Sequence, residues 1–188
     1  VLQSASKVKH NMCVGMAGIL DSSRLKYFLS EELNVSIKSI ETFVLGGHGD
    51  TMVPMIRYTT VSGIPIHELI KNKIISQKKI NDIVKRTKDG GGEINRLLKK
   101  GTAFYAPASS AVQMAESFLK NKKMILPCAA YLKGEYGVRG LYVGVPVVIG
   151  QNGVEKIIEL KLTTAEKKQF NSSVKAVRNL TKLATKII

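Results

Sequence analysis

Three apolar segments, residues 123–131, 139–149 and 154–160, follow one another near the end of the chain, separated by turn chemistry at Lys133-Gly134 and Gln151-Asn152-Gly153. Connections this short and this rich in turn formers make hairpins, and strands joined by hairpins run antiparallel, because a parallel pair needs a crossover of about a dozen residues. Most of what surrounds them reads as helix. Residues 24–33 put Leu25, Phe28, Leu29 and Leu33 on one face, residues 67–98 are helical in pattern but interrupted by Gly90-Gly91-Gly92, and Pro107 opens a helix to about residue 120. Residues 163–187 form a final amphipathic helix with Phe170, Val174, Val177, Leu180, Leu183 and Ala184 on one side. Residues 12–20 read as a short strand, with Asp21 behind them as a helix N-cap; residues 40–45 read as a buried strand, residues 52–66 as further extended structure, and residues 2–9 as the tail of a helix. Helices grouped against hairpin-linked strands predict an α+β fold with mostly antiparallel strands. No repeat or linker divides residues 1–188, so a single domain is expected.

Composition excludes several classes. No apolar run approaches the roughly 18 residues of a membrane span, and the segment after Val1 is neither a signal-peptide core nor a transit peptide, so that end reads as a cut through a longer chain. Cys13 and Cys128 sit in apolar segments without partners at metal-ligand spacing, which predicts reduced thiols of a cytoplasmic protein and no metal site. The net charge of +15 raises the question of nucleic acid. Only six of the 29 basic residues are arginine, and the lysines lie scattered on polar helix faces with no aromatics interleaved for base stacking. A solvated surface is therefore expected, with no nucleic-acid and no membrane partner.

The chemistry concentrates in one loop. Phe43-Val44-Leu45-Gly46-Gly47-His48-Gly49-Asp50 places a histidine among glycines directly after an apolar run. A histidine transfers protons near neutral pH, and a carboxylate on its other ring nitrogen orients it and stabilises its cation. Asp21 fits that role if the fold brings it beside the loop. Arg24, one helical turn further on, would share its face and could grip a substrate carboxylate through two parallel hydrogen bonds. Taken singly, each residue also has a plain reading: Asp21 as a cap, Arg24 as a surface residue, His48 as a loop residue.

Together, Asp21-Ser22-Ser23-Arg24 and Gly-Gly-His-Gly-Asp-Thr-Met-Val-Pro around His48 resemble the substrate half of the malate/lactate dehydrogenase family, and the second wording is most similar to its malate branch. The resemblance covers nearly the whole chain, from Asn11 onward. It implies the fold of that family's C-terminal domain, His48 and Asp21 as the catalytic pair and Arg24 as the substrate-binding cation. It also points to Ala103 in the substrate pocket and Pro107 against the nicotinamide, although both equally fit a helix lead-in. Asp50 and Gly49 would shape the loop, and the three glycines at 90–92 would allow close packing or a kink beside the site. His10 and His67 match no family position. The implied cofactor is NAD, the implied substrates are malate and oxaloacetate at their step of the tricarboxylic acid cycle, and the implied assembly is a homo-oligomer, dimer or tetramer. No Gly-x-Gly-x-x-Gly lies between a strand and a helix here, so the Rossmann domain that binds NAD is absent from these residues and the chain alone is expected to be inactive. Two other outcomes stay open: a lactate dehydrogenase domain, and a basic binding module that kept the fold and lost the reaction.

Overall fold

The computed structural model describes residue 3 and residues 6–186. Its centre is an antiparallel three-stranded sheet, β6 (Met124–Lys133), β7 (Arg139–Gly150) and β8 (Gly153–Ile157) in that order. Leu126, Cys128, Ala130 and Leu132 alternate inward along β6, and Leu141, Val143, Val145, Val147 and Ile149 do so along β7, so one face of the sheet is a continuous apolar wall. Earlier strands are short: β1 (Ile40–Glu41), β4 (Thr60–Val61) and β5 (Ile64–Pro65) form one small antiparallel sheet, and β2 (Val44–Leu45) pairs with β3 (Val53–Pro54).

Packed on this framework are the helices α1 (Ala17–Leu33), α2 (Ile66–Lys71), α3 (Gln77–Leu98), α4 (Tyr105–Leu119) and α5 (Thr164–Ala184). Helix α1 stands between two apolar clusters. Its Ile19 joins the sheet core with Val53, Phe170 and Val174, while its Leu25 and Leu29 lie fully buried among Ile40, Val44, Ile66 and Ile80. Truncating either leucine to alanine in such a setting costs about 2–5 kcal/mol. Helix α5 is closed at its start by a capping box: Glu166 N–H donates to Thr163 Oγ1 and Thr163 N–H donates to Glu166 Oε2.

The α+β architecture and the two long strands β6 and β7 stand as the sequence predicts; the third, expected at 154–160, ends at Ile157, and the strand expected at 40–45 is split into β1 and β2. Other boundaries differ too. Residues 12–20 are not a strand: Gly15 makes one isolated bridge to Ala129, and α1 already begins at Ala17, behind an uncapped Met16. Only Ile19 and Leu20 of the run are buried, and Gly18 lets the helix lie against β6 where a Cβ would overlap the Pro127 carbonyl. Asp21 consequently sits inside the helix and is no N-cap. The predicted interruption at Gly90-Gly91-Gly92 is also absent, since α3 runs straight through them. Glycine costs roughly 1 kcal/mol per helical position relative to alanine. Ion pairs from Arg86 to Glu93 (2.7 Å) and from Arg96 to Asp89 bracket the run and hold the turns together. The break between helices falls instead at residues 72–76, where Lys73 has φ 58° and Ser76 caps α3. Helix α4 starts two residues before Pro107. On α5, Phe170 and Val174 are buried but Leu180 and Leu183 are exposed, so the predicted face is covered only along its first half. Of the helical tail expected at 2–9, residues 2, 4 and 5 lie outside the described residues, Gln3 and Ser6 are helical, and residues 7–9 are not. Residue 187 also lies outside them.

Candidate active site

His48 lies in the loop between β2 and β3, and the loop is tied down on three sides. Gly46 exchanges two backbone hydrogen bonds with Gly144 of β7, at 2.8 and 2.9 Å. Gly47 N–H donates to Ser173 Oγ of α5 at 2.7 Å. Gly46 has φ +85°, a left-handed conformation costly for any other residue, and a Cβ there would overlap the Ser173 hydroxyl. A third tie joins α1 to the strand leading into the loop: buried Ser22 accepts the Val44 N–H at 3.1 Å while its own hydroxyl donates to the Gly18 carbonyl at 2.7 Å.

These ties bring together the three residues singled out from sequence. His48 Nδ1 lies 2.8 Å from Asp21 Oδ2, and the other Asp21 oxygen lies 3.3 Å from Arg24 Nη1. Asp21 is 1% exposed, Arg24 11% and the His48 side chain 51%. The carboxylate is thus enclosed between two cations or potential cations, with Nε2 on the open edge of the imidazole. The hydrogen bond that Asp21 accepts from the ring holds the His48 pKa above the ordinary histidine value; partial burial opposes this, the Asp21 charge adds to it and the Arg24 charge subtracts.

Arg24 is not the surface residue of its plain reading. Its side chain packs against α3, where a Cβ on Gly90 would stand 3.0 Å from Cδ, so the glycine run serves close approach rather than a kink. Its Nε is buried without a partner among the described residues. Arg24, Leu20, Ser23, Gly90, Ile94 and Ala106 line part of a cavity of about 320 Å³. Ala103 and Pro107 do not line it: Ala103 precedes α4 and Pro107 is its third residue, both half-buried. Gly49, with φ +73°, turns the chain after His48, and Asp50 beside it is exposed. His10 stacks on Tyr131 at 3.7 Å between ring centroids and its Nδ1 lies 3.1 Å from Tyr142 OH, while His67 lies beside Glu68. Both cysteines are free thiols; Cys128 is buried, which pushes its pKa to about 12, but Cys13 is only half-buried. Sequence reasoning missed Ser22 and Ser173, whose one signal is a serine between the apolar anchors of a helix face.

The lactate/malate dehydrogenase, alpha/beta C-terminal domain family matches residues 19–187. The chain belongs to this family. Among solved structures it is similar to a malate dehydrogenase of Cryptosporidium parvum, at 44% identity and a TM-score of 0.94 over 96% of this chain and 57% of that one. It is similar to a lactate dehydrogenase of Eimeria maxima with NADH and oxamate, at 46% identity and a TM-score of 0.95 over 98% and 56%. A lactate dehydrogenase of C. parvum complexed with lactic acid and nicotinamide adenine dinucleotide matches at 44% identity and 0.94 over 96% and 57%. The chain therefore spans somewhat more than half the length of these relatives. Among the described residues, no helix is long and apolar enough to cross a membrane and no cluster of His, Cys, Asp and Glu could hold a metal ion.

Proposed function

We propose that this chain is the substrate-binding and catalytic domain of a cytoplasmic, NAD-dependent malate dehydrogenase, with the dinucleotide-binding domain outside these 188 residues. The observation that carries the reading is the hydrogen-bonded line from His48 through buried Asp21 to Arg24. NAD, when bound in the complete enzyme, would supply the hydride chemistry at the carbon that bears the keto or hydroxyl group. His48 donates its Nε2 proton to the keto oxygen as that oxygen takes on negative charge, and in the reverse direction accepts the hydroxyl proton. Asp21 accepts the Nδ1–H, fixing the ring and stabilising the cation that precedes proton donation. Arg24 offers its guanidinium fork to the substrate carboxylate adjoining the reacting carbon. Ala103 would line the substrate pocket and Pro107 would meet the nicotinamide face.

Malate is favoured by the wording Gly-Gly-His-Gly-Asp-Thr-Met-Val-Pro around His48. A lactate dehydrogenase is the second reading, favoured by the 46% identity to the Eimeria enzyme against 44% to the Cryptosporidium malate dehydrogenase. The deciding experiment is kcat/KM of the complete enzyme for oxaloacetate against pyruvate. Preference for oxaloacetate is expected; preference for pyruvate overturns the malate assignment and leaves the site roles standing.

Two features bear on partners. Three arginines, Arg57, Arg86 and Arg96, are engaged with carboxylates, which argues against a phosphate-reading surface and for the enzyme over a basic binding module. The outer side of α4 carries Tyr105, Ala108, Val112, Ala115 and Leu119, exposed and spaced alternately by three and four residues, with no charge among them. An uncharged seam on a chain of net charge +15 supports the homo-oligomer.

A further inference from the structure

We infer that Ser173 of α5 is a positioning residue for His48: its hydroxyl oxygen holds the backbone of the glycine loop at the point from which the imidazole reaches Asp21. The Gly47 amide that it accepts, at 2.7 Å, belongs to the residue immediately before His48. The loop's other fixed points among the described residues are backbone to backbone, namely Gly46 with Gly144 and Met52 N–H to the Gly49 carbonyl. Apart from Asp21, Ser173 is thus the one side chain among the described residues that hydrogen-bonds to residues 46–52, whose far end is held by the buried side chain of Met52. Ser173 has no freedom to swing away. The side chain is 1% exposed, and Phe170 and Val174 anchor α5 in the sheet core on either side of it. The fit is close from the loop's side as well: a Cβ on Gly47 would stand 2.9 Å from Val177 Cγ2, one turn further along α5. Two glycines in succession let the loop lie directly on the helix, and the serine hydroxyl accepts the loop's amide there.

Loss of that acceptor leaves the Gly47 N–H without a protein partner in a half-buried position and frees the segment that carries the histidine. The first interaction to feel it is the 2.8 Å bond between His48 and Asp21. A small displacement at a catalytic group is costly, since a shift of about 1 Å can lower turnover by about 100-fold. That consequence rests on the proposed role of His48, whereas the coupling itself can be read without substrate.

The experiment is an NMR titration of the three imidazoles in the full 188-residue chain, its Ser173→Ala variant and a Thr163→Ala variant. Thr163→Ala removes the α5 cap but keeps the hydroxyl at 173, and so reports general weakening of the helix. The expected result is that Ser173→Ala lowers the His48 pKa toward the ordinary value and leaves His10 and His67 unchanged, whereas Thr163→Ala lowers Tm without moving His48. A second measurement needs no variant: the Gly47 amide of the parent is expected to exchange with solvent at least about tenfold more slowly than the exposed Gly101 amide. An unchanged His48 titration in Ser173→Ala, or a Gly47 amide as fast as that of Gly101, overturns the inference. If Ser173→Ala does not fold, the exchange rate in the parent decides. Should the coupling hold while His48→Asn turns over normally in the complete enzyme, the catalytic reading fails and this inference stands; the opposite pair of results separates them the other way.

Discussion

Two parts of the proposed site are built in different ways. Asp21, Arg24 and His48 are held by interactions internal to the chain: a helix buried on both sides, a serine tie from α1 to β2, and a loop fixed on β7 and α5. Ala103 and Pro107 lie at the start of α4, beside exposed Phe104 and Tyr105, with no hydrogen bond tying that segment to the histidine. The difference teaches that, on the proposed roles, the groups for proton transfer and carboxylate binding are pre-organised within these residues, whereas the segment proposed to meet the nicotinamide is not. A pre-organised group gives its full benefit only when the second reactant is positioned as well.

The sharpest way to break this comparison is to test the two parts separately. The isolated 188 residues are expected to fold and show no detectable oxaloacetate-dependent oxidation of NADH, with activity restored by a separately expressed cofactor domain. Absorbance at the NADH band follows both; turnover by the chain alone would show that residues 99–107 need no partner. Within the pre-organised part, Arg24→Lys in the complete enzyme is expected to lower kcat/KM for oxaloacetate by about 10–100-fold, equivalent to about 1.4–2.8 kcal/mol. A point charge cannot reproduce a two-bond grip. Saturation curves indistinguishable from those of the parent would reduce Arg24 to a packing residue against Gly90.

Asp21→Asn is expected to have a smaller effect, about tenfold, because a partner that shifts a pKa by one unit contributes about 1.4 kcal/mol to the charged form. The sign follows from the raised His48 pKa. Reduction of oxaloacetate needs the protonated ring, so the rate falls as pH rises through the His48 pKa, and removing the carboxylate moves that fall to lower pH. The same bond favours the folded chain below the ordinary histidine pKa and ceases to do so as pH rises through the raised value. A pH–rate profile unaltered by Asp21→Asn would count against the pair.

The sequence made the strands of the main sheet legible because turn formers at Lys133-Gly134 and Gln151-Asn152-Gly153 delimit apolar segments that hairpins can join. It misplaced α1 because residues 12–20 are apolar on every side, and an unbroken apolar run does not separate a buried helix from a buried strand. It stopped α3 at three glycines because local propensity says nothing of an arginine packed against them from another helix. The site was legible for a different reason. His48, Asp21 and Arg24 each have a plain reading taken singly, and their joint resemblance to the family's two motifs singled them out; the 2.8 Å contact of His48 with Asp21 and the Ser22 tie beside it follow from no spacing in the sequence.

The central claim is that His48, held by Asp21, transfers the proton. His48→Asn in the complete enzyme tests it most directly, with steady-state turnover of oxaloacetate measured beside NADH binding by fluorescence titration. Turnover is expected to fall by about 10²–10⁴-fold while NADH affinity stays near that of the parent. Turnover within a factor of about two of the parent, with NADH binding intact, would contradict the account.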